Sequence, residues 1–239
     1  MKKKRDPKAP TERDLKVFRE AGEDLLDYLY GGLAGRFQIA GHKMIDHWAK
    51  PYVNRMVLEI GCGHGHHLLY GSNQYTQYIG LDIERKFLQT LKDRFPGKMM
   101  VNGDAYALPL RNASVGCVLS VYNFEHLHRL PDSLSEIRRV LQSDGELLVG
   151  LPAEGGFLYG LGRRFTSKPY MERKYGIDYD AIVHWEHWNT FREVVEEISR
   201  QFLIHSVRYL PFFIPSVHLN VVIGLRAFPR QNVLDERQL

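Results

Sequence analysis

The chain has 239 residues, of which 44% are hydrophobic and 25% charged, a composition typical of an ordinary globular protein. This composition excludes a disordered chain, a collagen and a small disulfide-stabilised scaffold, and the length fits one large α/β domain or two small ones. The formal net charge of +4 comes from Lys2, Lys3, Lys4 and Arg5, because the remaining basic residues equal the acidic ones in number.

The basic N-terminal arm leads into Asp6 and Pro7 rather than into an apolar segment, so the sequence predicts no signal peptide. A flexible, solvated tail over residues 1–13 is favoured over an arm that contacts nucleic acid or anionic lipid, and a nucleic-acid partner is disfavoured. Cys62 and Cys117 are the only two cysteines. One potential pair in a chain of this size favours a reducing, cytoplasmic location.

Apolar spacing predicts two N-terminal helices, the first over 14–29 and the second over 36–50, the latter ended by Pro51. Beyond Pro51, short apolar runs alternate with helical segments, which is typical of a parallel sheet with crossover helices. Strands are predicted at 56–60, 78–81, 99–101, 115–121 and 146–151, with helices at 84–95 and 131–141 between them.

Residues 152–189 interrupt this alternation, since they are rich in Gly, Arg, Tyr and Trp without a clear period. A helix over 190–201 follows, with Thr190 as N-cap and Glu193 completing a capping box. Two strands, at 203–210 and 217–225, are predicted to close the chain. The apolar stretch 210–228 is interrupted by polar residues and prolines, so it predicts paired strands rather than a membrane span.

These elements predict a flexible basic tail over 1–13 followed by one domain over 14–239. Its parts are an N-terminal helical cap (14–52), a core (53–151), an insertion (152–189) and a closing helix with a strand pair (190–239).

Three glycines at alternate positions, Gly61, Gly63 and Gly65, directly follow the first strand. Glycine permits a positive φ and lets a ligand approach the backbone, and open α/β sheets bind ligands at this end of a central strand. A dinucleotide fingerprint needs G-x-G-x-x-G, but its third glycine falls on His66 or Leu68 in the two possible frames. A tightly held pyrophosphate is therefore disfavoured, and a turn without a ligand is the simpler alternative.

Two acidic residues follow the next two strands. Asp82 lies 21 residues after Gly61, close to the offset at which an acid accepts hydrogen bonds from a ribose. Asp104 could accept a hydrogen bond from an exocyclic amine such as that of adenine. Alternatively, Asp82 caps the next helix and Asp104 forms a turn that needs no ligand. A nucleoside that carries a group other than phosphates fits all these observations.

The sequence resembles the class I S-adenosylmethionine-dependent methyltransferases, in particular the type 11 methyltransferase domain of the small-molecule branch. The segments that carry the resemblance are Glu59–Gly65, Asp82, Gly103-Asp104-Ala105, residues 114–127 and residues 134–151. The resemblance covers about 95 residues, from Val57 to Leu151. It implies a doubly wound, mostly parallel, Rossmann-like sheet of seven strands, the last antiparallel.

The resemblance also implies the cofactor site. Gly61, Cys62, Gly63 and Gly65 surround the methionine part of S-adenosyl-L-methionine, and Glu59 supports this loop. Asp82, with Ile83 beside it, binds the ribose, and Asp104 with Ala105 meets the adenine. Ser120 and Tyr122, at the end of the fourth strand, complete the implied set.

His126 follows on the segment expected to face the methyl donor, and it is the candidate general base, since an unshifted pKa near 6.5 suits proton removal. A partly buried structural imidazole is the alternative. The eleven histidines include no pair with the Cys or carboxylate spacing of a zinc site, so no metal is predicted.

The sequence thus predicts an S-adenosylmethionine-dependent methyltransferase that moves a methyl group to an O, N or C centre of a small-molecule acceptor by in-line displacement. In-line alignment supplies much of the acceleration in such reactions, so no catalytic dyad is required. Cations within 152–189 are compatible with an anionic acceptor. A nicotinamide-dependent oxidoreductase and a non-catalytic cofactor-binding protein remain as alternatives, and the oligomeric state is not predicted.

Overall fold

The computed structural model describes residues 9–71 and 74–230. The arm formed by Lys2, Lys3, Lys4 and Arg5 lies outside the described residues. Helix α1 begins at Glu12, inside the predicted tail, because the hydroxyl of Thr11 accepts the N–H of Asp14 while the Asp14 carboxylate accepts the N–H of Thr11. This capping box satisfies backbone donors that the first helical turn leaves free.

Seven strands form one sheet. They are β1 (Met56–Ile60), β2 (Gln77–Asp82), β3 (Met99–Asn102), β4 (Val115–Val121), β5 (Leu141–Pro152), β6 (Phe202–Leu210) and β7 (Val222–Pro229). Their order is β3-β2-β1-β4-β5-β7-β6. Only β7 runs antiparallel to its neighbours among the described strands. The predicted mostly parallel seven-stranded sheet with an antiparallel last strand is confirmed.

Ten α-helices are present in the described part of the chain. They are α1 (Glu12–Glu20), α2 (Gly22–Tyr30), α3 (Gly32–Ala49), α4 (His66–Tyr70), α5 (Arg85–Arg94), α6 (Leu130–Val140), α7 (Phe157–Phe165), α8 (Ser167–Tyr175), α9 (Tyr179–Glu186) and α10 (Phe191–Gln201). The single helix predicted over 14–29 is interrupted at Ala21, and the one over 36–50 begins earlier, at Gly32. Helix α10 has the predicted capping box of Thr190 and Glu193.

Helices cover both faces of the sheet. Apolar residues of α3, α4 and α5 pack in one buried cluster with residues from β1, β2 and β4. Residues of α6 and α10 pack in a second cluster with those strands and with β5 and β7. Helices therefore shield both faces of the sheet from water. This explains why the apolar residues of β1 and β4 follow one another instead of alternating with exposed polar residues.

The strand predicted at 217–225 is wrong at its start, because Val217–Leu219 is a short 3₁₀ turn and β7 begins only at Val222. The reason is the buried side chain of Asn220. Its amide donates to the carbonyls of Ile214 and Ser216, and its oxygen accepts the N–H of Phe212. These bonds fold residues 211–221 into a compact loop between β6 and β7. Among the described residues, the structure has no helix of the length and apolarity that a membrane crossing requires.

The segment 152–189 contains three short helices, α7, α8 and α9, where the sequence has no clear period. Buried residues of α8 and α9 pack against Ala21 and Leu25 of the N-terminal helices in a third apolar cluster. Asp24 of α2 accepts hydrogen bonds from Lys174, Tyr170 and Tyr175, and these bonds lower the pKa of Asp24 to about 2. The insertion and the N-terminal helices therefore form one packed unit.

Candidate active site

The glycine loop leaves β1 at the edge of the sheet where the parallel strands end. Gly61, Gly63 and Gly65 all have positive φ angles, of 71°, 47° and 76°. The N–H groups of Gly61 and Cys62 donate to the carbonyl of Leu81 at 2.9 and 3.2 Å, which fixes the loop to the end of β2. A methyl group added to Gly63 would meet no other atom within 4 Å. The loop is thus fixed to the end of β2, and the space next to the Gly63 Cα is open.

Asp82 is the residue that holds this loop from the second strand. Its Oδ2 accepts the N–H of Gly63 at 2.8 Å, and its Oδ1 accepts the N–H of Glu84 at 2.9 Å. Each carboxylate oxygen has capacity for a further hydrogen bond, so a ribose hydroxyl can still be accepted. Helix α5 begins at Arg85 with Glu84 in the N-cap position. Asp82 is therefore not the N-cap residue, contrary to the alternative drawn from the sequence.

The end of β3 is bound to the end of β2. The Asn102 amide donates to the carbonyls of Asp82 and Ile83 at 3.0 and 2.9 Å, and the N–H of Gly103 donates to the carbonyl of Asp82 at 3.1 Å. Asp104 is exposed and its carboxylate accepts the N–H of Tyr106, with Ala105 half-buried between them. The structure thus brings the predicted ribose and adenine residues together, and the large apolar side chain of Ile83 is exposed there.

Glu59 and Cys62 lie in the interior beneath the loop. The hydroxyl of Tyr78 donates to Oε2 of Glu59. Burial raises the pKa of Glu59 to about 8, so its carboxyl is protonated at neutral pH. Cys62 is a buried free thiol, and burial raises its pKa as well. Neither residue is exposed to a ligand, which agrees with a supporting role for Glu59 and leaves Cys62 to contribute through its backbone.

The end of β4 contributes residues that the structure separates. Ser120 is buried, and its hydroxyl lies 3.4 Å from the carbonyl of Ile60. Asn123 donates to Ser120 and packs against the glycine loop so closely that a methyl group on Gly61 would lie 2.3 Å from its Cγ. Tyr122, by contrast, donates its hydroxyl to the carbonyl of Gln38 in α3. Of the predicted pair, Ser120 touches the loop region and the Tyr122 hydroxyl points to the N-terminal helices.

A second group of polar residues lies where the segment after β4 meets the insertion, and we call Glu125, His126, Glu154 and His187 the carboxylate–histidine cluster. Glu125 is only 3% exposed, and its Oε2 has no hydrogen-bond partner within residues 9–71 and 74–230. Burial raises the pKa of Glu125 to about 7. Its backbone carbonyl accepts the N–H groups of Trp188 and Asn189 at 2.7 and 3.1 Å, which places the insertion directly over it.

His126 occupies the edge of this cluster. Its Nδ1 donates to the carbonyl of Glu186 at 3.2 Å, and its ring packs edge-on against His187 at 4.7 Å between centroids. His187 in turn is hydrogen-bonded to Glu154 through Nδ1. Desolvation of the ring and the neighbouring His187 lower the pKa of His126 below its usual value. The ring is therefore neutral at pH 7, rather than titrating near 6.5 as the sequence suggested.

The histidines of the N-terminal helices and α4 form an aromatic stack around Tyr30. Its hydroxyl is hydrogen-bonded to Nε2 of His42 at 2.6 Å, and its ring stacks on His66 with centroids 4.0 Å apart and planes 5° apart. Burial lowers the pKa of His42, so its imidazole is neutral. Within residues 9–71 and 74–230, no group of three or more His, Cys, Asp or Glu side chains is arranged to hold a metal ion.

Several residues of this region were not proposed as site residues from the sequence, among them Asn123, Glu125, Glu154, His187 and Tyr30. Asn123 and Glu125 adjoin His126 in the chain, and their position after a buried strand is the signal that could have found them. Tyr30 lies in a helix that is distant in sequence, and its role depends on how that helix packs, for which the sequence offers no local signal.

An open α/β sheet of this order, with a glycine loop after its first strand and acids after the next two, is typical of the class I methyltransferase fold. Residues 58–149 match the family model described as a methyltransferase domain. A probable S-adenosylmethionine-dependent methyltransferase of Mycolicibacterium smegmatis is 32% identical over 120 residues, which cover 50% of this chain and 46% of that protein. The malonyl-[acyl-carrier protein] O-methyltransferase of Methylococcus capsulatus is 33% identical over 124 residues, covering 49% and 45%.

Among solved structures, a possible histamine N-methyltransferase from Thermotoga maritima, an S-adenosylmethionine-dependent enzyme, superposes with a TM-score of 0.65 at 17% identity, covering 90% of this chain and 99% of that one. The chain spans about half the length of the curated relatives it matches. Residues 58–149 are therefore similar to a methyltransferase domain, and the M. smegmatis relative is described as S-adenosylmethionine-dependent.

Proposed function

We propose that the protein transfers a methyl group from S-adenosylmethionine to an oxygen, nitrogen or carbon atom of a small-molecule acceptor. The observation that carries the proposal is the bond from the Gly63 N–H to the Asp82 carboxylate, beneath an open surface above Gly63. The glycine without a Cβ leaves room for a ligand against the backbone. The carboxylate beside it is fixed in place and retains capacity for hydroxyl donors.

In this proposal the residues at the edge of the sheet each contact a different part of the cofactor. Gly61, Cys62, Gly63 and Gly65 contact the methionine part through their backbone, with Glu59 beneath. Asp82 accepts the ribose hydroxyls, the exposed Ile83 covers an apolar face of the nucleoside, and Asp104 with Ala105 contacts the adenine. Ser120 bounds the same cleft from β4, and Tyr122 adjoins it at the end of the strand with its hydroxyl directed toward α3. The cofactor, when bound, supplies a methyl group on a sulfonium that is already activated for transfer.

The carboxylate–histidine cluster is the proposed acceptor side. The Oε2 atom of Glu125 is buried, has no partner among the described residues and has a pKa near 7. It is suited to take a proton from the accepting atom, since a base acts best when its pKa lies near the working pH. His126, neutral at pH 7 with its Nδ1 donating to a carbonyl, is the alternative base through Nε2.

The insertion over 152–189 is the proposed recognition element for the acceptor. The structure weakens the expectation that its cations select an anionic acceptor, because Arg163 and Lys168 pair with Asp180 and Lys174 pairs with Asp24. Cytoplasmic location remains part of the proposal. Cys62 and Cys117 are both buried free thiols, a state that a reducing compartment maintains.

Calorimetric titration of the purified chain tests the proposal. S-Adenosylmethionine and S-adenosylhomocysteine are expected to bind, while NADH is not, because the loop lacks the spacing of a dinucleotide fingerprint. Release of S-adenosylhomocysteine is then measured against a panel of hydroxyl, amine and carboxyl acceptors. Binding of NADH in place of the sulfonium cofactor would refute the proposal, and cofactor binding without turnover on any acceptor would favour a non-catalytic binding protein.

A further inference from the structure

Helix α7 presents an apolar face to solvent. Phe157 is 68% exposed and Phe165 is 71% exposed, and Leu161 lies between them at the same four-residue spacing. This spacing places the three side chains along one face of the helix. No residue of α7 is fully buried. Tyr159 packs against the main apolar cluster, whereas Phe157, Leu161 and Phe165 remain exposed.

A second exposed apolar group lies in the loop between β6 and β7. Phe212, Phe213, Ile214 and Leu219 are all exposed, Phe213 by 71%. The loop is held in shape by the three hydrogen bonds of the buried Asn220 side chain. Phe213 itself has a φ of 59°, a conformation that a bulky side chain rarely adopts. The loop is therefore held in one conformation by its own hydrogen bonds, and its backbone is strained at Phe213. This conformation keeps the apolar side chains on the surface.

The two groups adjoin each other. Gly156, which precedes α7, lies so close to the 217–219 turn that a methyl group on it would be 2.2 Å from the carbonyl oxygen of Val217. The loop joins the end of β6 to the start of the antiparallel β7, so it lies at the same edge of the sheet as the glycine loop. We call the exposed face of α7 together with residues 212–219 the apolar rim. It borders the edge where the proposed acceptor enters.

Cations accompany the apolar rim. Arg164 follows Phe157 by two helical turns and therefore lies on the same face of α7. Arg164 and Arg173 are exposed and form no ion pair with another described residue, whereas the neighbouring acids Asp24 and Asp180 are already paired. Arg173, Phe165 and the stacked Tyr28 and Tyr170 line an open cavity of about 440 Å³ at the end of α7.

Protruding aromatic and aliphatic side chains flanked by unpaired arginines are the features of a surface that rests on an anionic bilayer. Apart from Phe165, which also lines the cavity, the apolar side chains project outward from a helix face and a loop tip. This arrangement favours insertion among lipid chains over capture of a peptide. We propose that the apolar rim binds the surface of an anionic phospholipid membrane, with Arg164 and Arg173 contacting headgroup phosphates. This membrane surface would present the methyl acceptor to the site, but the binding itself is independent of methyl transfer.

Sedimentation with vesicles of phosphatidylcholine, with and without phosphatidylglycerol, tests the proposal on the full chain. Wild-type protein is expected to bind the anionic vesicles and to be released by high salt. The double variant Phe157→Ser/Phe213→Asn is expected to bind about tenfold more weakly or less, because it removes two inserted side chains. Asn tolerates the positive φ at position 213, so this variant retains the fold, which S-adenosylmethionine titration checks.

Two further variants separate the contributions. Leu203→Ser is the matched control, since Leu203 is 56% exposed at the start of β6, on the opposite edge of the sheet, and it is expected to bind vesicles like the wild type. Arg164→Ser/Arg173→Ser is expected to lose about fivefold per arginine on anionic vesicles and nothing on phosphatidylcholine. Absence of vesicle binding, or binding that survives the double apolar variant, overturns the proposal. A dimer in light scattering that the double apolar variant dissociates, without vesicle binding, identifies a second copy as the occupant and also overturns it.

Discussion

The carboxylate of Asp82 accepts the backbone N–H of Gly63 across 2.8 Å, and so ties the end of the second strand to the turn that leaves the first. Asp82→Ala removes this tie and the proposed ribose acceptor together. We expect the dissociation constant for S-adenosylmethionine to rise at least tenfold, or roughly 1.4 kcal/mol, in isothermal titration calorimetry. The control is Asp93→Ala, an exposed acid of α5 remote from the loop. Equal affinities of wild type and Asp82→Ala would contradict the assignment.

Gly63 and Gly176 offer a matched pair, because both have left-handed backbones, with φ angles of 47° and 63°. A methyl group fits at both positions without a steric clash. At Gly63 no atom lies within 4 Å of it, and at Gly176 the nearest atom is 3.9 Å away. Alanine at either position therefore costs about 1–2 kcal/mol of stability from backbone strain. Only Gly63→Ala is expected to lose cofactor affinity, because only there does the proposed ligand occupy the open space. Chemical denaturation measures the first effect and calorimetry the second, and a loss of affinity in Gly176→Ala as well would point to a general effect of strain.

Glu125→Gln tests the proposed acceptor side. Burial raises the pKa of Glu125 to about 7, so a rate that depends on its carboxylate rises with pH through about 7. The variant is expected to lose this ascending limb and most of its turnover while it keeps cofactor affinity. The readout is the pH profile of S-adenosylhomocysteine release on an acceptor identified in the panel. His126→Gln is the companion variant, and loss of the limb there, with Glu125→Gln unaffected, would transfer the role of base to His126.

Glu59→Gln tests the protonation of the buried carboxyl below the loop. Burial raises the pKa of Glu59 from 4.5 to about 8. The protonated carboxyl therefore stabilises the fold fully below about pH 4.5 and progressively less as the pH rises through about 8, with a slope of up to ~1.4 kcal/mol per pH unit. Glutamine retains an oxygen to accept the Tyr78 hydroxyl but does not ionise.

Urea unfolding between about pH 5 and about pH 8 measures this difference. We expect the wild-type free energy of unfolding to fall over the range by more than that of Glu59→Gln. Glu20→Gln, on the exposed surface of α1, should keep the wild-type slope. Parallel slopes in wild type and Glu59→Gln would show that the carboxyl is ionised in the folded protein.

Strands buried on both faces were predictable to the residue, as at Met56–Ile60 and Val115–Val121. Their continuous apolar runs have few alternative structures. The same reasoning failed near Val217, because the pattern Val217, Leu219, Val221 alternates as a strand does while the side chain of Asn220 bonds the backbone into a loop. Bonds from one buried amide to a neighbouring backbone compete with strand pairing, and apolar spacing does not register them.

The helices of the insertion escaped prediction because they are short and their local signals are weak. Helix α7 is only nine residues long and contains Gly160 and Gly162, which lower its helical propensity. The positions of Asp82 and Asp104 at one end of the sheet were predictable because the two residues follow adjacent parallel strands. Glu154 and His187 meet only through the packing of segments distant in sequence, and so do Tyr30 and His66. No local pattern encodes either contact.

The hydrogen bonds that Asp24 receives from three residues of α8 join segments about 150 residues apart in the chain. An exchange of residues 152–189 for the corresponding stretch of a relative would leave this carboxylate facing foreign side chains. Chimeras intended to alter acceptor choice should therefore exchange the N-terminal helices and the insertion together, and keep the sheet unchanged.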